Sequence, residues 1–159
     1  MAPKPAPELQ VSQWFNTQSA LDLETLRGKV VVINAFQILC QGCVHQSVPQ
    51  MKRMVQGFDP NHVAVLGLHT VFEHHEAMTP EALETFIHRH RLELPIGVDM
   101  ADGKRGLPLT MQAYHMQGTP TLILIDKNGY LRMQRFGHKD DLSVGVAVGK
   151  LLAEPASVR

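Results

Sequence analysis

The chain has 159 residues, of which 44% are hydrophobic and 19% charged, and its formal net charge is zero. This length suits one domain with a well-buried core. The balanced charge gives no bulk attraction to nucleic acid or to an anionic membrane surface, so we expect neither as a partner. Every apolar run is far shorter than the about 20 residues that a membrane-spanning helix needs.

The N-terminal residues 1–10 carry three prolines and no apolar stretch, which is not the pattern of a secretory signal. We therefore expect a cytoplasmic protein, or a periplasmic one if a leader has been removed. The predicted organisation is a flexible Pro-rich tail over residues 1–8, one domain over residues 9–153 and a C-terminal tail over residues 154–159.

The apolar pattern in the first half of the chain predicts alternating strands and helices. After an edge strand at 9–15, a continuously apolar, β-branched run at Val30–Phe36 predicts a central strand covered on both faces. A helix is expected at 41–57, kinked by Pro49. A second buried strand at 63–68 precedes a helix that starts with the cap Thr79 and the proline Pro80.

The second half of the chain continues this alternation. We expect a short strand at 94–98, a short helix at 109–116, and a strand pair at 121–125 and 130–136 joined by the hairpin turn Asn128-Gly129. A last helix spans 140–152. Alternating elements that end in a hairpin and a helix predict an α/β sandwich with a mixed sheet.

The two cysteines form one CxxC motif, Cys40-Gln41-Gly42-Cys43, where the predicted central strand passes into a helix. The unpaired N–H groups and the dipole at a helix N-terminus stabilise a thiolate, which is the nucleophile in disulfide exchange. The second cysteine, one helical turn later, can attack a mixed disulfide. We therefore predict that Cys40 attacks and Cys43 resolves. No bound cofactor is required, because the dithiol carries the electrons.

A metal-binding or metal-delivery module is the alternative, because structural zinc sites take four Cys and His ligands. Histidines would have to join Cys40 and Cys43, and a His-rich loop after the second buried strand offers His69, His74 and His75. The same stretch also reads as an ordinary polar loop.

The whole arrangement resembles the thioredoxin fold, and in particular the TlpA-like thiol-disulfide oxidoreductases of the redoxin group. The residues that carry the resemblance are 28–34 (GKVVVIN) before the CxxC and 118–126 (GTPTLILID) before the hairpin turn. The resemblance implies a three-layer sandwich, with a mixed central sheet flanked by helices and an N-terminal extension. It also implies a monomer that acts on a disulfide-containing protein or a small thiol substrate, and an upstream dithiol reductant.

The resemblance also implies a substrate-binding surface beside the dithiol. Pro120 would be a cis-proline facing the cysteines, and Thr119 would offer its backbone to an extended substrate segment, as an added strand does. Gln41 and Gly42, between the cysteines, would complete this surface and tune the stability of the thiolate.

Several positions depart from the family pattern. Leu39 stands where a Trp usually precedes the first cysteine, which removes an exposed aromatic contact surface. Asn34 replaces the buried Asp of thioredoxins proper and cannot accept a proton from Cys43, and Gln46 replaces a Glu that is common in TlpA-like proteins. Pro49 falls one residue later than usual, which indicates a local insertion in the helix.

With those carboxylates missing, His45, His69 and Glu73 are the candidate proton acceptors for Cys43. A thiol peroxidase is a further alternative, because peroxiredoxins share the fold. Peroxiredoxins use the pattern Pro-x-x-x-Thr/Ser-x-x-Cys, whereas Ile33 and Gln37 occupy the corresponding positions here.

Overall fold

A seven-stranded mixed sheet forms the centre of the computed structural model, which describes residues 2–104 and 106–157. The strands in chain order are β1 (Lys4–Pro5), β2 (Val11–Phe15), β3 (Val30–Phe36), β4 (Val63–His69), β5 (Ile96–Asp99), β6 (Thr121–Ile125) and β7 (Tyr130–Phe136). Their spatial order is β1-β7-β6-β3-β4-β5-β2. β3, β4 and β5 run parallel, and the remaining pairs are antiparallel.

The helices are α1 (Val48–Gly57), α2 (Pro80–His90), α3 (Leu109–Ala113) and α4 (Asp141–Ala153). α2 begins as predicted, because the Thr79 hydroxyl accepts the Ala82 N–H at 3.2 Å. Among the described residues, no helix has the length and apolar character that crossing a membrane requires. The prediction of an α/β fold with a mixed central sheet flanked by helices is confirmed.

The helix after the CxxC motif differs from the continuous α-helix predicted at 41–57. Its segment Cys43–Ser47 is π-helical, and the Val48 N–H donates to the Cys43 carbonyl five positions earlier. Pro49 has no N–H group and cannot make the next helical hydrogen bond. The extra residue that the late proline indicated is therefore accommodated as a single π turn, a feature frequent at functional sites.

Strand β3 is buried along its whole length and separates two apolar cores. Its even-numbered apolar residues, such as Val32 and Phe36, lie in the core that contains Cys43. Its odd-numbered residues, such as Ile33, lie in the core on the other face. A strand with both faces covered cannot alternate apolar with polar residues, which explains why Asn34 is the one polar residue in β3.

The N-terminal segment belongs to the sheet, although the sequence predicted a flexible tail there. Lys4–Pro5 pairs with β7, and the Tyr114 hydroxyl donates to the Pro7 carbonyl at 2.5 Å. Just after α4, the Glu154 carboxylate pairs with the Arg132 guanidinium. Both predicted tails therefore contact the domain through polar groups. The domain limits at residues 9 and 153 stay a prediction.

The packing of β2 on β5 depends on a residue without a side chain. A Cβ atom at Gly97 would lie 2.9 Å from Val11 Cγ1 and 3.2 Å from the Trp14 ring. Such distances are too short for ordinary van der Waals contact, so the two strands approach this closely only because Gly97 leaves room. Trp14 is half-buried there, with its ring against Gly97.

Replacing Gly97 with Ala should lower the free energy of unfolding by about 1–3 kcal/mol, the usual cost of overpacking. The matched control is Gly145→Ala in α4, where an added Cβ meets nothing within 4 Å. That control should stabilise the protein, because Ala is the better helix former. Urea denaturation measures both variants, and a wild-type midpoint for Gly97→Ala would contradict the packing argument.

Candidate active site

The CxxC motif lies where the central strand leaves the sheet. After β3, the Cys40 N–H donates to the Gln37 carbonyl at 3.1 Å, which closes a tight turn. The helix begins at Gln41, so the dithiol spans its first turn. The predicted placement of the motif at a helix N-terminus is therefore what the structure shows.

The two free cysteines lie in different environments. Cys40 is partly exposed, whereas Cys43 is fully buried. The Cys43 backbone N–H donates to the Cys40 sulfur at 3.3 Å. A hydrogen bond of this kind at a helix N-terminus stabilises a thiolate, and only the Cys40 sulfur is open to an incoming disulfide.

Burial raises the pKa of the Cys43 thiol to about 12, and the neighbouring Cys40 side chain raises it as well. Hydrogen bonds from the Gln37 backbone and the Thr119 side chain act in the opposite direction and lower this pKa. Cys43 is therefore a protonated thiol at neutral pH. Its conversion to a thiolate depends on the groups that donate to its sulfur.

The loop before β6 packs over the dithiol. The Thr119–Pro120 peptide bond is cis, as the resemblance implied. The Cys40 thiol donates to the Thr119 carbonyl at 3.7 Å, and a Cβ atom on Gly42 would lie 3.7 Å from Pro120 Cδ. The structure thus brings these predicted residues together at one surface. Gln41 lies exposed at the start of the helix.

Two exposed apolar side chains lie on elements that adjoin the dithiol. Leu39, the residue before Cys40, is 55% exposed. Phe136 is 53% exposed at the end of β7, where its ring would be 3.1 Å from a Cβ atom on Gly118. The sequence interpretation missed Phe136, although its position at the end of the return strand is a usable signal.

Gln37 is a second residue whose role the sequence interpretation missed, because it was considered only as the residue at the peroxiredoxin hydroxyl position. It is 1% exposed, and its Nε2 donates to Thr119 Oγ1 at 3.1 Å and to Glu73 Oε1 at 3.4 Å. Its Oε1 accepts the Phe72 N–H at 3.2 Å. The available signal was a polar residue directly after the buried central strand, three positions before Cys40.

The His69 side chain, a candidate proton acceptor for Cys43, makes its contacts with Ile38 and Phe36. Its Nε2 accepts the Ile38 N–H at 3.3 Å, and its ring packs on Phe36 with centroids 5.3 Å apart. Burial lowers the pKa of His69 to about 4, so the ring is neutral at physiological pH. A neutral imidazole has one acceptor nitrogen, and the chain before Cys40 already occupies it.

The metal-binding alternative needs histidines beside the two thiols. In the part of the chain that the structure describes, no three His, Cys, Asp or Glu side chains lie close enough to hold a metal ion. His74 and His75 are exposed in the loop after β4, and His45 is exposed on the π segment. The described geometry therefore gives this alternative no ligand set.

Protonation of His69 would place a charge on a buried ring, so the free energy of unfolding should decrease as the pH is lowered. The folded pKa of about 4 lies below the ordinary value of 6.5, so the stabilisation is complete above pH 6.5 and is lost as pH falls toward 4. The full difference corresponds to about 3 kcal/mol. Urea denaturation across this range should show a smaller loss for His69→Gln, which keeps an acceptor but does not titrate.

The exposed His62→Gln variant is the matched control and should lose stability with acid as the wild type does. An equal acid-dependent loss in His69→Gln and wild type would contradict the assignment of this effect to His69.

Alkylation of the reduced, folded protein near neutral pH should modify Cys40 and spare Cys43. The reason is that Cys43 is buried and its thiol is protonated. Peptide mass spectrometry after iodoacetamide treatment measures the outcome, and unfolding in urea before treatment should expose both thiols. Modification of folded Cys43 at the rate of Cys40 would contradict this description.

Comparison with known proteins places the chain in a family. The model of the AhpC/TSA family matches residues 3–134. A thioredoxin-like superfamily protein of known crystal structure is 52% identical, with a TM-score of 0.93 and coverage of 98% of this chain and 100% of that one. A thiol-disulfide isomerase from Corynebacterium glutamicum is 46% identical, with a TM-score of 0.89 and coverage of 95% and 97%.

Among curated relatives, Protein DipZ of Mycobacterium tuberculosis is 29% identical over 138 residues. That match covers 85% of this chain but 19% of DipZ, so the chain spans about a fifth of the length of this relative. The family match spans residues 3–134, which include Cys40 and Cys43. The chain therefore belongs to the AhpC/TSA family, and its fold is that of the thioredoxin-like superfamily.

Proposed function

We propose that the protein is a TlpA-like oxidoreductase in which Cys40 and Cys43 carry out thiol-disulfide exchange. One observation carries this proposal: a partly exposed sulfur on Cys40 lies at a helix N-terminus, with a buried thiol on Cys43 directly behind it. The Cys40 sulfur also lies 3.7 Å from the carbonyl of Thr119, in the loop that would receive a substrate.

In the first step, the Cys40 thiolate attacks one sulfur of the substrate disulfide. A bond forms between Cys40 and that sulfur, and the other substrate sulfur leaves as a thiolate. In the second step, the Cys43 thiol loses its proton to water and its thiolate attacks the Cys40 sulfur. The second substrate sulfur leaves and both released thiolates take up protons. The substrate has gained two electrons, and an external dithiol reductant then reduces the Cys40–Cys43 disulfide.

The substrate segment would lie across the loop before β6. The backbone of Thr119, next to the cis-proline Pro120, offers strand-like hydrogen bonds to an extended chain. Gln41 and Gly42 would form the other side of this groove. The exposed Leu39 favours a disulfide-containing protein with apolar residues near its cysteine, although a small thiol compound also fits this chemistry. A cytoplasmic location, or a periplasmic one after leader removal, and a monomeric state remain predictions.

The Cys43→Ser variant should trap mixed disulfides through Cys40, because the resolving nucleophile is missing. Reaction with a model protein disulfide such as insulin, followed by non-reducing electrophoresis and mass spectrometry, would detect the covalent product. Cys40→Ser is the matched control and should trap nothing. If Cys43→Ser forms no mixed disulfide, the proposed function is wrong.

A thiol peroxidase is the second candidate, because the AhpC/TSA match is compatible with it. Gln37 stands where peroxiredoxins carry a hydroxyl, and both of its Nε2 hydrogens point at other oxygens. Hydrogen peroxide should therefore oxidise Cys40 no faster than it oxidises an ordinary thiolate, while disulfide reduction is rapid. Rapid turnover of peroxide with slow disulfide reduction would favour the peroxidase.

A further inference from the structure

A groove lies beside the dithiol, between the chain that carries the CxxC motif and helix α2. Its volume is about 320 Å³. Ligand pockets usually measure about 300–1,000 Å³, so this groove is at the small end of that range. It has room for one or two amino-acid side chains rather than for a large cofactor.

The wall nearest the dithiol includes Leu39 and Val44. Leu39 directly precedes Cys40 and is 55% exposed. The Val44 N–H donates to the Cys40 carbonyl at 3.0 Å, so Val44 lies in the same turn of backbone as the attacking sulfur. A substrate whose sulfur meets Cys40 therefore has the groove directly beside it.

The opposite wall is one face of α2. Ala82, Phe86 and Arg89 line the groove, and their i, i+4, i+7 spacing places them on one side of the helix. The His90 ring packs against Phe86 with centroids 4.0 Å apart. Desolvation lowers the pKa of His90, so this ring adds apolar surface at neutral pH and not a charge.

The groove leads from an apolar entrance to a basic end. α2 follows the loop at the end of β4 and returns toward the start of the parallel strand β5, so it runs away from the edge that carries the dithiol. Ala82 lies in its first turn, and Arg89 lies about 10 Å further along the helix axis, at about 1.5 Å per residue. Among the described residues that line the groove, Arg89 carries the one permanent charge. The ion pairs that the described residues form do not include Arg89.

We propose that this groove selects protein substrates with an aliphatic side chain next to the disulfide cysteine and an acidic residue about three positions from it. The aliphatic side chain lies between Leu39 and Phe86, and the carboxylate pairs with Arg89. The spacing follows from the length of the groove, because an extended chain advances about 3.3 Å per residue. This inference rests on the proposed function of Cys40 and Cys43 and names the substrate class of the same site.

Continuity and charge identify an extended acidic peptide as the occupant. Leu39 adjoins the proposed substrate surface and also lines the groove, so one chain can cross Cys40 and continue along α2. An apolar entrance disfavours a charged group, whereas the guanidinium of Arg89 at the far end attracts an anion. The formal net charge of the whole chain is zero, so this preference is local to the groove.

The experiment mixes the reduced protein with symmetric peptide disulfides and follows the released peptide thiols by chromatography in a single turnover. Each peptide disulfide takes two electrons from Cys40 and Cys43, which become a disulfide, and yields two peptide thiols. The peptides have blocked termini. Each rate is divided by the rate of the same peptide with dithiothreitol, which cancels differences in intrinsic reactivity.

The test peptide is Asp-Ser-Leu-Cys-Leu-Ser-Asp, which presents the same side chains on both sides of its cysteine. The wild type should react with it about tenfold faster than with Asp-Ser-Ser-Cys-Ser-Ser-Asp, since apolar pockets discriminate by at least that factor. It should react about threefold faster than with Lys-Ser-Leu-Cys-Leu-Ser-Lys, the usual size of an exposed ion-pair effect. In about 1 M salt, where charges are screened beyond about 3 Å, the preference for Asp should disappear and the preference for Leu should remain.

Exposed residues provide the variants, so that folding is not at risk. Leu39→Ser should reduce the preference for Leu, whereas Leu142→Ser on α4, the matched control, should keep it. Arg89→Glu should invert the preference for Asp over Lys. Its matched control, Arg27→Glu, makes the same charge change before β3, at the opposite end of that strand from the dithiol, and should retain the wild-type preference. Each comparison is made within one variant, so a change in the reactivity of Cys40 cancels.

Equal wild-type rates with the Leu and Ser peptides would overturn the proposal, and so would preferences that survive both Leu39→Ser and Arg89→Glu. Reduction of 2-hydroxyethyl disulfide tests the proposed function separately, because this compound has no side chain for the groove. If the wild type reduces it but treats all peptides alike, the dithiol function stands and the groove inference is wrong. If the wild type reduces no disulfide, both are wrong.

Discussion

The burial of Cys43 beneath Cys40 is the constraint on which the rest of the site depends. A thiol with a pKa near 12 is almost fully protonated at neutral pH, yet its thiolate is strongly nucleophilic once formed. Hydrogen bonding from the Gln37 backbone and the Thr119 side chain lowers this pKa and so offsets part of the effect of burial.

The sheet topology places these donors beside the dithiol. β3 runs parallel to β4 and antiparallel to β6, so the ends of β3 and β4 and the start of β6 meet at one edge. Ala35 pairs directly with Thr121, which puts the loop containing Thr119 next to the chain that leads into Cys40. At the same edge, His69 at the end of the neighbouring strand β4 accepts a hydrogen bond from the Ile38 N–H.

The π turn after Cys43 changes which residues face the site. One additional residue in a helix turns everything after it by about 100° relative to a regular α-helix. Here Ser47 and Met51 are buried, while Gln46 faces solvent. The replacement of Glu by Gln at position 46 therefore has little consequence for Cys43, because the side chain points away from the core.

Local patterns in the sequence determined the central strand at Val30–Phe36, the start of α2 at Thr79 and the hairpin turn, because periodicity and adjacent residues are sufficient there. They also determined the dithiol and its placement at a helix start. Only the tertiary structure decided that Lys4–Pro5 joins the sheet and that Gln37 holds Thr119. Those contacts join residues more than 80 positions apart, and no local spacing encodes which distant backbone or hydroxyl a buried polar group will meet.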